Sequence, residues 1–353
     1  MRKMVTVRKI ANIEPIKGAD RIEVATVDGW EVVVKKGEYQ IGDLVYYFEI
    51  DSFLPAGDER WDFLEQRGRK TMMGREGYRL RTIRLRKQIS QGLLLPVPPE
   101  NLEQAQVFLD EETDVSYGFG VVKYERDEKP GCGNGKPKGS FPWFIPKTDE
   151  ERVQNVFGKY QHKYPDVEFT PTLKLDGSSI TVFCDVTGKY TGEEGYLGVC
   201  SRNLEVKDDE ENRFWMGARN SGILSFTKDL CETTGGAFAV QGELMGPGIQ
   251  GNREKLEDYT VFVFSIYDIA NQKYLPWSEV QQLCYDYGVQ SVPVVGDPLY
   301  ITDFDSVKEV LDMAEGSSII NPVREGIVFK GVQQQRVVTF KAISNKFLLE
   351  GGE

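Results

Sequence analysis

Over the first 125 positions, apolar residues fall in short runs that alternate with polar ones and are separated by turn residues. The runs "MVTVRKIANI", "RIEVATVDGWEVVVKKG", "DLVYYFEI", "GYRLRTIRLRK" and "GLLLPV" read as β-strands. Asp28-Gly29 stands between two of them and predicts a hairpin turn. Many strands with few helical patterns predict a small β-barrel over residues 1–125. A stretch rich in Gly, Pro and Lys follows, so residues 126–145 read as a linker. Thr148 or Asp149 is placed to cap a helix running to Phe157, with Glu150 and Glu151 favouring its N-terminal end. That helix opens a second region, residues 146–353, in which strands and helices mix.

Polar residues interrupt the apolar strands of this second region at specific points. In "PTLKLDGSSITVF", residues 171–183, Lys174 and Asp176 are two positions apart, and residues at i and i+2 of a strand share a face. The pair can therefore meet one ligand. Gln241 and Glu243 share a face in the same way, and Glu325 opens "EGIVFK" with Ile327 and Phe329 following on its side. In "VFVFSIYDI", residues 261–269, alternation puts Phe264 and Tyr267 on opposite faces, so at most one of them contacts a ligand.

Composition narrows the chemistry. A chain of 353 residues suffices for about two ordinary domains. It carries no N-terminal leader pattern and no apolar run of membrane-spanning length, which points to a cytoplasmic protein without a membrane partner. The five cysteines are scattered and read as reduced thiols. The single histidine, His162, lies in a polar stretch and reads as a surface residue. A multi-histidine metal centre cannot be built. Chemistry must then rest on lysines, carboxylates and hard cations bound through oxygen. The run "GCGNGK" lacks phosphate-loop spacing and does not open a helix.

The formal net charge is −12, yet residues 67–87 hold nine basic residues against one acid, a local net of +8. Surfaces ordinarily mix their signs, so this segment reads as a contact surface for a phosphate backbone, with Arg79, Arg81, Arg84 and Arg86 at its centre.

Two resemblances follow from these segments. "GADRIEVATVDGWEVVVKKGEYQIGDLVYYF" and "LRKQISQGLLLPV" look like the OB-fold barrels of tRNA-binding and RNA-ligase-associated domains. "KLDGSS", "SRN", "QGELMGPGIQ", "VFVFSIYDI", "EGIVFK" and "TFKAISNKFLL" appear in that order and together resemble the covalent nucleotidyltransferases, most closely the ATP-dependent RNA ligases whose OB domain precedes the catalytic one. K-x-D-G alone is a weak signal; six ordered elements are a strong one. The resemblance implies an α+β protein: an N-terminal OB-fold β-barrel, then a nucleotidyltransferase domain of antiparallel sheets flanked by helices.

It also implies roles. Lys174 is the expected nucleophile on ATP, ending as lysine-AMP, and such a lysine attacks only when deprotonated. Glu243 is expected on the ribose, with Asp176, Glu243 and Glu325 as a carboxylate set for Mg2+ or Mn2+, held largely through water. Arg202 is expected on the ribose or the RNA end, Lys341 on the α-phosphate, and Tyr267, with Phe264 second, on adenine. Related ligases often carry a lysine two residues before Lys341. Thr339 stands there, and Lys330 is the residue that could compensate.

The expected reaction joins an RNA 3′-OH to a 5′-phosphate at a nick or break, through lysine-AMP and RNA-adenylate, with no obligate protein partner. DNA ligases and capping guanylyltransferases place their OB domain after the lysine, and only "AISNKFLLEGGE" follows Lys341. The alternatives are a GTP-dependent capping-type transferase and a non-catalytic RNA-binding protein. The latter requires a disabled position among Lys174, Asp176, Glu243, Glu325 and Lys341, all of which are present.

Overall fold

The computed structural model describes residues 2–125 and 135–351. The chain divides into two compact units. Residues up to 125, with 153–157 and 348–351, form one; residues 135–152 and 158–347 form the other.

The first unit is built on antiparallel strands. Val5–Pro15 pairs with both Leu44–Phe48 and Ile22–Val27, and the five-stranded sheet is completed by Leu93–Pro96 and Trp30–Lys35 at its edges. Val27 pairs with Trp30 across a two-residue turn in which Asp28 adopts a φ of 48°, as the Asp28-Gly29 signal predicts. A second sheet runs Val122–Lys123, Ser52–Pro55, Arg75–Arg79, Lys70–Met72. Val5, Phe48, Leu54, Trp61 and Tyr78 pack into a core.

The segment "GYRLRTIRLRK" does not form one strand. Arg75–Arg79 ends it, and Ile83–Leu85 starts a separate hairpin with Gln88–Ser90. Arg86 and Lys87 sit at the tip of that hairpin with φ of 49° and 73°, values that non-glycine residues rarely adopt.

The second unit holds a seven-stranded antiparallel sheet, in the order Pro137–Ser140, Leu204–Val206, Tyr196–Cys200, Ser178–Asp185, Ala237–Met245, Thr260–Asp268, Lys273–Tyr274. Its apolar residues face two ways, as a period-two pattern dictates. Ile180, Val182, Val240 and Val263 join Phe214, Phe226 and Val280 in the main core, whereas Phe183, Ala239 and Tyr267 pack on the opposite face with Phe144 and Tyr274. A four-stranded sheet runs Leu299–Tyr300, Glu168–Lys174, Gly326–Gln333, Arg336–Ile343. The chain passes from this sheet to the larger one through the turn at Leu175-Asp176-Gly177.

Two expectations need correction. The linker reading of 126–145 lies partly outside the described residues, and Pro137–Ser140 within it is an edge strand paired with Leu204–Val206. The helix expected from Thr148 or Asp149 begins at Val153 and runs to Lys163, with Arg152 as its extended N-cap. Residues 149–152 instead lie along the Arg336–Ile343 strand: the Lys341 N–H donates to the Glu151 carbonyl at 2.8 Å, and Arg152 bridges Lys341 in parallel. Pairing to a neighbouring strand satisfies the backbone there, so capping residues start no helix. His162 is exposed in the last helical turn. Cys184, Cys200, Cys231 and Cys284 are buried free thiols, and Cys132 lies outside the described residues. Among the described residues, no helix is long and apolar enough to cross a membrane.

Candidate active site

Lys174 ends its strand directly opposite Gly326, which sets its side chain beside Glu325, the residue before the next strand. Lys174 Nζ donates to Glu325 Oε1 at 2.6 Å. Glu325 is 7% exposed, and burial raises its carboxyl pKa against the opposing pull of Lys174. Glu243 lies across the turn and accepts the Gly177 N–H at 3.1 Å. Burial, offset by Lys174 but reinforced by Glu325 and Asp176, pushes Glu243 up to about 8. Gly177 is needed for this approach: a Cβ there would meet the Leu244 carbonyl oxygen at 2.6 Å and Glu243 Cγ at 2.8 Å.

Lys174 and Glu243 border a cavity of about 300 Å³ within the second unit. Lys174, Arg202, Glu243, Phe264, Lys330 and Lys341 all line it, so strands far apart in sequence bring together six of the expected site residues. Its lining is mixed: Phe264, Trp277, Val280 and Val292 are apolar, and Lys147, Lys174, Arg202 and Lys341 are cationic.

Asp176 departs from the pleat argument. The strand stops at Lys174, so alternation no longer applies, and the Asp176 carboxylate instead faces Arg253 Nε at 3.3 Å. It is close enough to Glu243 and Glu325 to raise both. Among the described residues, no three acidic, histidine or cysteine side chains form a metal-holding group. Direct chelation by Asp176, Glu243 and Glu325 together is therefore absent from this geometry. An oxygen-only set in which Asp176 raises both glutamates and Glu325 raises Glu243 does fit a hard divalent cation contacted through its water shell.

The aromatic assignment also changes. Tyr267 shares its pleat face with Ser265 but is buried beside Tyr274, ring to ring at 5.0 Å, and does not line the cavity. Phe264 lines the cavity. The pairing register jumps between Gln241 opposite Ser265 and Gly242 opposite Val263, which leaves Phe264 as an extra, bulged residue. Phe264 and Ser265 both reach the cavity as a result, something strict alternation forbids.

Lys330, the residue expected to compensate for Thr339, has its amine engaged by other groups. It stands opposite Thr339 in the sheet, but its amine donates to the Phe264 carbonyl and lies 3.7 Å from the centroid of the Trp277 ring. Burial depresses its pKa to about 7. Lys341, 6% exposed, meets Asp149 Oδ1 at 3.0 Å, and Arg202 approaches Asp149 Oδ2 at 3.8 Å. Lys147, Thr148, Asp149 and Glu150 all line the cavity. Their sequence signal, capping residues ahead of a helix, pointed to a structural role.

In the first unit, Arg81, Arg84 and Arg86 are exposed. Arg79 is not an available contact. It pairs with Asp51 at 2.7 Å, where both side chains are about nine-tenths buried, and lies over the Tyr124 ring. Arg2 completes this buried network with Glu49 and Asp51.

The chain matches a family model for an OB-fold domain over residues 4–97 and one for RNA ligase over residues 167–343. Comparison with curated proteins gave no match. Among solved structures, the chain is similar to Naegleria gruberi RNA ligase. An apo variant of that protein is 38% identical with a TM-score of 0.85, covering 98% of this chain and 97% of that one. The form with PPi is 38% identical with a TM-score of 0.84, covering 99% and 98%. A variant with ATP and Mn is 36% identical with a TM-score of 0.83, covering 98% of each. A shared fold over nearly the full length at this identity, with a family model matching residues 167–343, makes this chain a member of the RNA ligase family, with an OB-fold domain ahead of its ligase domain.

Proposed function

We propose that this RNA ligase is ATP-dependent and seals nicks that present an RNA 3′-OH beside a 5′-phosphate. The observation that carries the reading is the Lys174 amine held at 2.6 Å from a buried carboxylate at the border of a cavity lined by both apolar and cationic side chains. The apolar lining suits a purine, with Phe264 as the stacking ring. Lys341 and Arg202 suit phosphate oxygens. The forms of Naegleria gruberi RNA ligase solved with ATP and Mn, and with AMP and Mn, support the nucleotide and a divalent metal.

In the first step, Lys174 Nζ attacks the α-phosphorus, a P–N bond forms and pyrophosphate leaves. Glu325 Oε1 is the nearest acceptor for the ammonium proton, and its raised pKa suits it to that transfer. In the second, a 5′-phosphate oxygen of RNA displaces Lys174 from AMP. In the third, the adjacent 3′-OH attacks that 5′-phosphorus and AMP leaves. A divalent cation held through water by Glu243, Glu325 and Asp176 would neutralise phosphate charge during transfer. Arg81, Arg84 and Arg86 in the OB-fold domain bind the RNA backbone, and the 2′-hydroxyl marks the 3′ side of the nick as RNA.

Two assays test this. Wild-type protein given magnesium and ATP labelled at the α-phosphate acquires an acid-labile label that Lys174→Ala lacks, and GTP does not replace ATP. Matched nicks with an RNA 3′-end seal faster than those with a DNA 3′-end. Labelling of the alanine variant overturns the nucleophile, and equal sealing of both nicks overturns the substrate.

A further inference from the structure

The segment from Pro146 to Arg152 precedes a helix, yet Pro146, Lys147, Asp149 and Glu151 are each bonded to residues of other segments. The Pro146 carbonyl accepts from Gln241 Nε2 at 3.0 Å and from the Tyr274 hydroxyl at 3.4 Å. Lys147 Nζ donates to Asn203 Oδ1 at 2.7 Å. The Glu151 carbonyl accepts the Lys341 N–H. Between these anchors, the Asp149 carboxylate reaches Lys341 with one oxygen at 3.0 Å and Arg202 with the other at 3.8 Å.

Both cations line the cavity, and Lys341 is almost fully enclosed. An enclosed ammonium needs an anion beside it, and Asp149 supplies one from a side chain that is 16% exposed. A nucleotide phosphate reaching Lys341 and Arg202 brings negative charge to the positions that this carboxylate occupies. Two anions sharing the same cations repel, and the more highly charged, better hydrogen-bonding one prevails.

We propose that Asp149 is a displaceable counter-ion for the phosphate subsite, holding Lys341 and Arg202 until a phosphate takes them and reclaiming them as AMP or pyrophosphate leaves. The proposal rests on the reading that nucleotide phosphates reach Lys341. It makes Asp149 a positioning residue that sets how strongly the cavity distinguishes a nucleotide from its nucleoside.

The test is the ratio of AMP to adenosine affinity, measured by calorimetry on the full chain. Neither ligand reacts, and adenosine lacks only the phosphate. Asp149→Asn keeps the side chain's size and removes its charge, so AMP binding tightens by about tenfold while adenosine binding is unchanged. Asp149→Glu, which keeps the charge, leaves the ratio near the wild-type value. Should Asp149→Asn lose adenosine binding through misfolding, Asp149→Ser provides the same comparison. A ratio that stays constant or falls, or a gain shared equally by adenosine, overturns the counter-ion. If the wild-type protein itself binds AMP no more tightly than adenosine, the assignment of phosphate to Lys341 has failed instead, and the two failures are distinguishable.

Discussion

Lys174 Nζ and Glu325 Oε1 are 2.6 Å apart although 151 positions separate the two residues in the chain. The antiparallel pairing of Lys174 with Gly326 holds them in register, so the contact is a product of sheet geometry more than of side-chain flexibility. Substituting Glu325→Gln keeps shape and removes the proton acceptor. Rapid-quench labelling of Lys174 by ATP is expected to slow by about 100-fold or more, in the range of lost general-base catalysis. An unchanged rate would assign the proton to another acceptor.

Glu243 ties stability to pH. Its carboxyl is raised from 4.5 to about 8, chiefly by burial, so between those values the native protein holds a proton that the unfolded chain has released. The favourable contribution is complete below about 4.5 and is lost as pH rises through about 8. Glu243→Gln removes the cost of the charged form while still accepting the Gly177 N–H. Its melting temperature is expected to match that of the wild type near pH 4.5 and to exceed it by about 2 °C or more above pH 8. Scanning calorimetry across that interval checks the sign.

The bulge at Phe264 predicts a clear contrast with Tyr267. Phe264→Ala removes the stacking wall and is expected to weaken ATP binding by about tenfold, the scale of one base–aromatic contact. Tyr267→Phe, packed against Tyr274 outside the cavity lining, leaves that affinity unchanged. Titration of both variants with ATP decides between the rings, and a loss confined to Tyr267→Phe would reverse the assignment.

Arginines in the basic segment separate into two classes. Removing Arg79 deprives the buried Asp51 of a partner, so Arg79→Ala is expected to destabilise the OB-fold domain by about 3 kcal/mol. Arg84→Ala and Arg86→Ala, both at exposed positions of the Ile83–Ser90 hairpin, leave the melting temperature unchanged. Each weakens RNA binding and lowers the salt slope by about one. Binding measured against salt concentration, beside thermal melts, tests the division.

Much of the architecture is local information. Alternation and turn residues mark the barrel strands, the Asp28-Gly29 hairpin and the strands that carry Lys174, Glu243 and Glu325, because a pleat has a period of two and a tight turn needs particular residues. The ordered motifs name the chemistry, since the residue types needed to activate a lysine and hold phosphate are few.

What periodicity cannot encode is where a pattern is broken or which distant group a side chain meets. One extra residue in the Thr260–Asp268 strand brings Phe264 to the cavity lining, and the end of the strand at Lys174 leaves Asp176 beside Arg253. Asp149 looked like a helix cap until Lys341, 192 positions away, claimed it, and Arg79 looked like an RNA contact until Asp51 enclosed it. Sequence alone determined most element types and the family's ordered motifs, because those follow from neighbours along the chain. Tertiary structure decided their partners, because charge pairing and burial depend on separations in space that no local spacing records.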